Sequence, residues 1–155
     1  MKPLRTEDLN NILTSNPVTK KTYLGTFPSC VFPKTMKKQY SFISNTSDHL
    51  DLHGEHWVAW FIDGTTVKFF DSYGRSPSNE TFYDYFNDFT LKFENIKYSG
   101  HRIQGWNSVA CGYFCIHFIY ALSLGIDLKT FLKDYSRTKF ESNDYNVYEF
   151  FHSIL

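Results

Sequence analysis

The chain has 155 residues, enough for a single domain over 1–155 with a sizeable core, and its 42% apolar and 19% aromatic content excludes disorder as a general description. Sixteen basic and 16 acidic residues give a formal charge of zero, so no global field draws the protein to nucleic acid or to an anionic membrane. Three cysteines without framework spacing argue against a secreted disulfide scaffold and for an intracellular, reducing compartment.

The first residues, Met1 to Glu7, are too polar for a signal peptide, and no membrane association is expected. Thr6 to Leu13 predicts a short helix with Leu9, Ile12 and Leu13 on one side, ended by Ser15-Asn16-Pro17. Tyr23 to Phe27 reads as an irregular, aromatic-anchored segment, and the lysines at 20–21 and 34–38 as solvated faces. Tyr40 to Asn45 alternates as a short strand.

His56 to Ile62 and Thr65 to Asp71 are β-rich runs around Asp63-Gly64, a preferred two-residue hairpin turn. That loop sets Ile62 against Thr65 and, by continuation, His56 directly opposite Asp71 on one face. The same face carries Val58, Trp60, Val67 and Phe69 and offers a bed for an apolar helix. Ser72 to Asn79 reads as a loop. Glu80 to Phe89 reads as a helix with Phe82, Phe86 and Phe89 inward, and Leu91 to Ile103 as containing one more strand.

Ala110 to Leu124 is almost wholly apolar and too short to span a bilayer, so it predicts a buried core helix stopped by Gly125. Cys111 falls in its first turn, with Asn107 or Ser108 as cap. A thiol there meets unpaired N–H groups and the positive end of the helix dipole, which favours a nucleophilic thiolate. After this helix come a short segment from Leu128 to Tyr135 and a closing helix capped near Asn143 or Asp144, burying Val147, Phe150, Phe151 and Leu155.

Read alone, Cys111 is most often a packing residue, His56 a satisfied core histidine, and Asp71 a turn residue capping the Ser72-Tyr73-Gly74 loop. Together with Gln104, whose amide a Gly-Trp-Asn turn folds back toward the cysteine, they are the four parts of a cysteine acyl-transfer site. In that reading Cys111 attacks a carbonyl and His56 moves the proton. Asp71 holds the imidazole's tautomer, and Gln104 joins the Cys111 N–H as oxyanion donor. Trp57 either walls a substrate groove or packs; Gly105, Trp106 and Gly112 flank the site as candidate substrate-binding positions. Cys115, one turn below Cys111, reads as packing. The histidines His49, His53 and His56, and the set Cys111, Cys115 and His117, lack zinc spacing, so no metal is assigned.

Gln104-Gly-Trp-Asn-Ser-Val-Ala-Cys-Gly-Tyr-Phe-Cys115 resembles the adenain family, the adenovirus-type cysteine endopeptidases, whose pattern runs Gln-Gly-x-Asn-Ser-x-Ala-Cys-Gly-x-Phe-Cys. His56-Trp57, Phe70 to Gly74, Asn45-Thr46 and Tyr23 to Thr26 are similar to that family too, so the likeness spans most of residues 7 to 122. The resemblance implies an α+β fold of papain-like spatial arrangement with permuted chain order, a central buried helix on a mixed or antiparallel sheet. It implies His56, Asp71, Gln104 and Cys111 in the roles above, with Asp71 standing where adenoviral enzymes carry glutamate. It further implies polypeptide substrates, namely viral capsid or core precursors cut at glycine-containing sites in the host nucleus or virion. The sequence itself calls for no cofactor, with a peptide or DNA activator left open.

Adenoviral members use a disulfide-linked peptide and DNA as activators. Leu91 to His101 contains no cysteine to which such a peptide could be linked, and the neutral charge gives DNA little purchase. A monomer is expected. Two rival readings share parts of the pattern. A deconjugating protease for ubiquitin- or SUMO-like modifiers has the same His-Trp, Asp-Ser and Gln…Cys-Gly order. A non-enzymatic interaction module keeping the fold would not need all four site residues.

Overall fold

The computed structural model describes residues 1–46, 56–78 and 84–155. Its frame is a five-stranded mixed sheet in the order β1-β2-β3-β4-β5. β2 (Gln39–Asn45), β3 (Trp57–Asp63) and β4 (Thr66–Phe70) run antiparallel, while β1 (Tyr23–Phe27) and β5 (Asn95–Tyr98) add in parallel at the edges. The helices are α1 (Thr6–Ser15), α2 (Asp84–Thr90), α3 (Cys111–Ser123), α4 (Leu128–Leu132) and α5 (Phe140–Ser153).

Helix α1 starts where Asp8 accepts the Arg5 N–H at 2.9 Å, and buries Leu9 and Leu13. Tyr23 to Phe27, expected to be irregular, is a strand; the irregularity survives as a register shift between Tyr23 and Thr26, where Gly25 takes φ 143°. Of the aromatic helix expected over 80–89, α2 covers the second half and buries Phe86 and Phe89; Phe82 lies outside the described residues, as do His49 and His53.

The hairpin forms, but its two-residue loop is Gly64-Thr65 rather than Asp63-Gly64. Gly64 sits at φ 59°, the first-position glycine that a II′ turn requires. Asp63 therefore pairs with Thr66 and Ala59 with Phe70, a two-residue slip from the expected register. Such a slip preserves which face each side chain occupies.

The face assignment for the central helix is corrected. Val58, Trp60, Val67 and Phe69 do not bed α3; they pack with Phe42, Phe86 and Phe89 in a separate aromatic core under α2. Helix α3 lies on the opposite face, over Trp57, Ala59, Phe61 and Phe70, where α1, α4 and α5 complete the main core. His56 precedes β3 and Asp71 follows β4, so strand alternation no longer dictates where either side chain points.

Helix α3 is buried on nearly all sides, from Cys111 through Leu122. Ile126 N–H bonds Ala121 O and Gly125 N–H bonds Leu122 O, the double bond that closes a helix at a left-handed glycine, here φ 89°. Its start differs from expectation. Ala110 occupies the cap position without a side-chain bond, and Ser108 Oγ instead accepts the Ala110 N–H at 3.0 Å. Asn143 is likewise no cap: α5 begins three residues earlier. The Asn143 amide ties the Ile103 carbonyl at 2.9 Å and the Ser136 carbonyl at 2.6 Å to the helix.

Candidate active site

The fold brings four of the sequence-predicted residues to one place at the start of α3. Cys111 is its first residue and 8% exposed. The His56 side chain is near enough to the Cys111 thiol for the sulfur to help raise its imidazole. On its other side, His56 Nε2 lies 2.8 Å from Asp71 Oδ1. With Nε2 donating to the carboxylate, Nδ1 is the ring nitrogen left to face the sulfur.

Asp71 is fully buried, and its charge is met by several donors. Oδ1 also accepts the Tyr73 N–H at 2.8 Å, and Oδ2 accepts Arg75 Nε at 2.8 Å. Its turn-capping and histidine-pairing roles, alternatives in the sequence, coexist in one carboxylate. Burial pushes the Asp71 carboxyl up, but the His56 charge and hydrogen bond, then Arg75 and the Tyr73 amide, outweigh it and hold the group at about 2. Burial pulls the His56 imidazole down, yet Asp71 and, secondarily, Cys111 raise it to about 9. The pair is thus ionised across the neutral range.

Gln104 is buried beside this pair. Its Oε1 accepts the Ser72 hydroxyl, and its Nε2 donates to Ser108 O at 3.0 Å, with Ser108 Oγ further off at 3.5 Å. The backbone repeats the link: Ile103 and Gln104 N–H groups bond Ser72 O at 2.9 and 3.2 Å. The loop after Asp71 and the turn before Cys111 are therefore laced together. Gly74 permits this approach, because a Cβ there would fall 2.3 Å from the His101 carbonyl carbon, and its φ of 79° suits glycine.

The candidate substrate-binding positions divide. Trp57 is buried, with Nε1 donating to Leu4 O at 2.9 Å, so it packs instead of walling a groove. Gly112 is buried beneath Leu4 and Trp57, whose atoms lie 3.1 and 3.3 Å from where its Cβ would be. Gly105 is half-buried against Asp144. Trp106 alone of the four is open, 66% exposed.

Sequence reading missed the stack that Trp106 completes. The His56 ring lies on Tyr73 at 4.6 Å, Tyr73 on Trp106 at 5.0 Å, and Arg102 sits between Trp106 at 4.2 Å and Phe140 at 3.7 Å. It missed Arg75 as well, whose only signal was an arginine four residues after a candidate acid. Cys115 is buried in the core and its thiol is raised by that burial. His117 bonds the Tyr135 hydroxyl and is lowered to about 4 by burial, while packing on Phe131 and Phe150. Among the described residues no three His, Cys, Asp or Glu side chains converge as metal ligands, and no helix is long and apolar enough to cross a membrane.

No protein-family model matches the chain. Over 112 residues it is 32% identical to the protease of bovine adenovirus 2, a match covering 64% of this chain and 54% of that protein. Among solved structures it is similar to the ASFV protease, with a TM-score of 0.52 at 23% identity, over 79% of this chain and 45% of that one. The chain thus spans about half the length of each. The α+β architecture is similar to the fold of that protease over the matched part. In sequence the chain is similar to an adenoviral protease, and in fold to the ASFV protease.

Proposed function

We propose that the protein is a cysteine endopeptidase with Cys111 as nucleophile, His56 as proton carrier, Asp71 as the acid that holds it, and Gln104 as oxyanion donor. The Cys111 sulfur attacks the scissile carbonyl carbon, and the oxyanion is met by the Cys111 N–H and a Gln104 amide hydrogen. One Gln104 hydrogen is committed to Ser108 O; the other has only Ser108 Oγ at 3.5 Å, beyond ordinary hydrogen-bond range, and is the one assigned to the oxyanion. His56 then gives its proton to the leaving amine as the C–N bond breaks, leaving a thioester. Water, losing its proton to His56, then attacks the thioester carbonyl; the C–S bond breaks, the new carboxyl end is released, and the sulfur is free again beside a reprotonated His56.

The observation that carries this reading is the 2.8 Å bond between His56 Nε2 and the buried Asp71, on an imidazole that also neighbours the first thiol of a buried helix. The likeness to two proteases supports the peptide-bond chemistry. Adenain-like character further suggests substrates that are viral structural precursors cut at glycine-containing sites, and Trp106 with Tyr73 as an aromatic wall along the bound backbone.

The test is incubation with glycine-rich peptides, analysed by mass spectrometry. Cleavage by the native chain and none by Cys111→Ala is expected. Full activity in Cys111→Ala would refute the assignment. Rapid labelling of Cys111 by a ubiquitin- or SUMO-vinyl probe, with no peptide cleavage, would favour a deconjugating protease.

A further inference from the structure

Away from this site, β4 and β5 on one side and α4 with its following turn on the other enclose a cleft of about 660 Å³, lined by none of the residues assigned to catalysis. Its walls carry Lys68, Lys97, Lys129, Lys133 and Arg137, against the single carboxylate of Asp127. Five of the chain's 16 basic residues therefore share one concavity on a protein of zero formal charge.

Their arrangement is locally unfavourable on both walls. Lys68 and Lys97 are cross-strand register partners in the parallel pair β4–β5, where like charges repel. Lys129 and Lys133 stand four residues apart at the end of α4, the spacing at which like charges destabilise a helix. Asp127, whose Oδ1 caps α4 through the Thr130 N–H at 2.7 Å, interacts with Lys133 and Lys68 but brings one negative charge against five positive ones. The positive field is felt at His101 on the cleft wall, which is lowered first by burial and then by the Arg137 charge.

Two repulsive pairs facing one another across a cavity are relieved by a ligand that brings several negative charges to its middle. We propose that this cleft binds a compact, multiply phosphorylated small molecule. Cations on opposing walls suit clustered phosphates on a small scaffold better than a nucleic-acid strand, which needs a track of charge along a surface.

The test is calorimetric titration of the full chain at fixed ionic strength with myo-inositol hexakisphosphate, inorganic tripolyphosphate and a single-stranded oligonucleotide of about 20 nucleotides. Saturable 1:1 binding of hexakisphosphate or tripolyphosphate is expected, with a Kd on the order of micromolar. Whichever binds tighter separates a scaffolded ligand from a linear phosphate chain.

The double variant K129E/K133E, and independently K97E, should each weaken binding about tenfold, whereas K20E/K21E, the same charge change outside the cleft, should alter it less than about twofold. By NMR, the His101 titration midpoint should rise when the ligand is present. Equal weakening by cleft and control variants, no saturable binding, tighter binding of the oligonucleotide, or an unmoved His101 would each overturn the assignment.

Discussion

His56 and Asp71 are hydrogen-bonded at 2.8 Å although they are not register partners. Continuing the observed ladder from Ala59↔Phe70 by three residues sets His56 opposite Tyr73, and those two rings do stack, at 4.6 Å. The acid reaches the imidazole diagonally from just past the strand end. Tyr73 supports the ring's face while its N–H shares Asp71 Oδ1.

Removing the Asp71 charge should therefore show most clearly in the alkaline limb of activity. The imidazole is held at about 9 chiefly by Asp71 acting against burial. In Asp71→Asn, the pH at which kcat/KM falls on the alkaline side should drop by about one unit or more, with roughly a 10²-fold loss at neutral pH. A pH–rate profile on a peptide substrate checks this.

The same pair sets a stability window. His56 is raised from 6.5 to about 9, so its contribution is fully present below pH 6.5 and is lost as pH rises through 9. Asp71 is lowered from 3.8 to about 2, so its contribution is present above pH 3.8 and is lost as pH falls through 2. The Tm difference between the native chain and His56→Gln should accordingly be widest between pH 3.8 and 6.5 and should narrow above pH 9. Thermal melts across pH measure it.

Gln104→Ala should lower kcat about 10²-fold or more with a small change in KM, if the amide serves the oxyanion. It should also cost about 1–3 kcal/mol of stability, because the Ser72 hydroxyl and Ser108 carbonyl lose a buried partner. Steady-state kinetics and denaturant titration on one variant separate the two effects.

Trp106 and Gly112, neighbours of the same site, should respond in opposite ways. Trp106→Ala should change stability by less than about 0.5 kcal/mol, since the ring is 66% exposed, and should raise KM. Gly112→Ala should destabilise by about 1–3 kcal/mol, since its Cβ would crowd Leu4 at 3.1 Å and Trp57 at 3.3 Å.

Most elements, and the residues that make up the candidate site, were legible because their signals are local. These were the apolar run behind Cys111, the strand–Gly–strand pattern, and the spacing of Gln104 from Cys111. What failed depended on tertiary detail. Asp63-Gly64 and Gly64-Thr65 both allow two-residue loops, and only the chosen turn type decides between them. Both faces of β3 are apolar, so alternation could not say which one receives α3. Trp57 and Trp106 look alike in sequence; burial beneath the Leu4 segment separates the packing residue from the open one. The basic cleft was invisible because its lysines come from β4, β5 and α4, far apart in the chain.

The convergence of Cys111 with His56 is tested most directly by site-resolved alkylation, with Cys30 as internal control because it is exposed whereas Cys111 is buried. At neutral pH, iodoacetamide followed by peptide mass spectrometry should find Cys111 modified faster than Cys30 despite its burial, with that advantage abolished in His56→Ala. Faster modification of Cys30, together with a Cys111 rate indifferent to His56, would contradict the account.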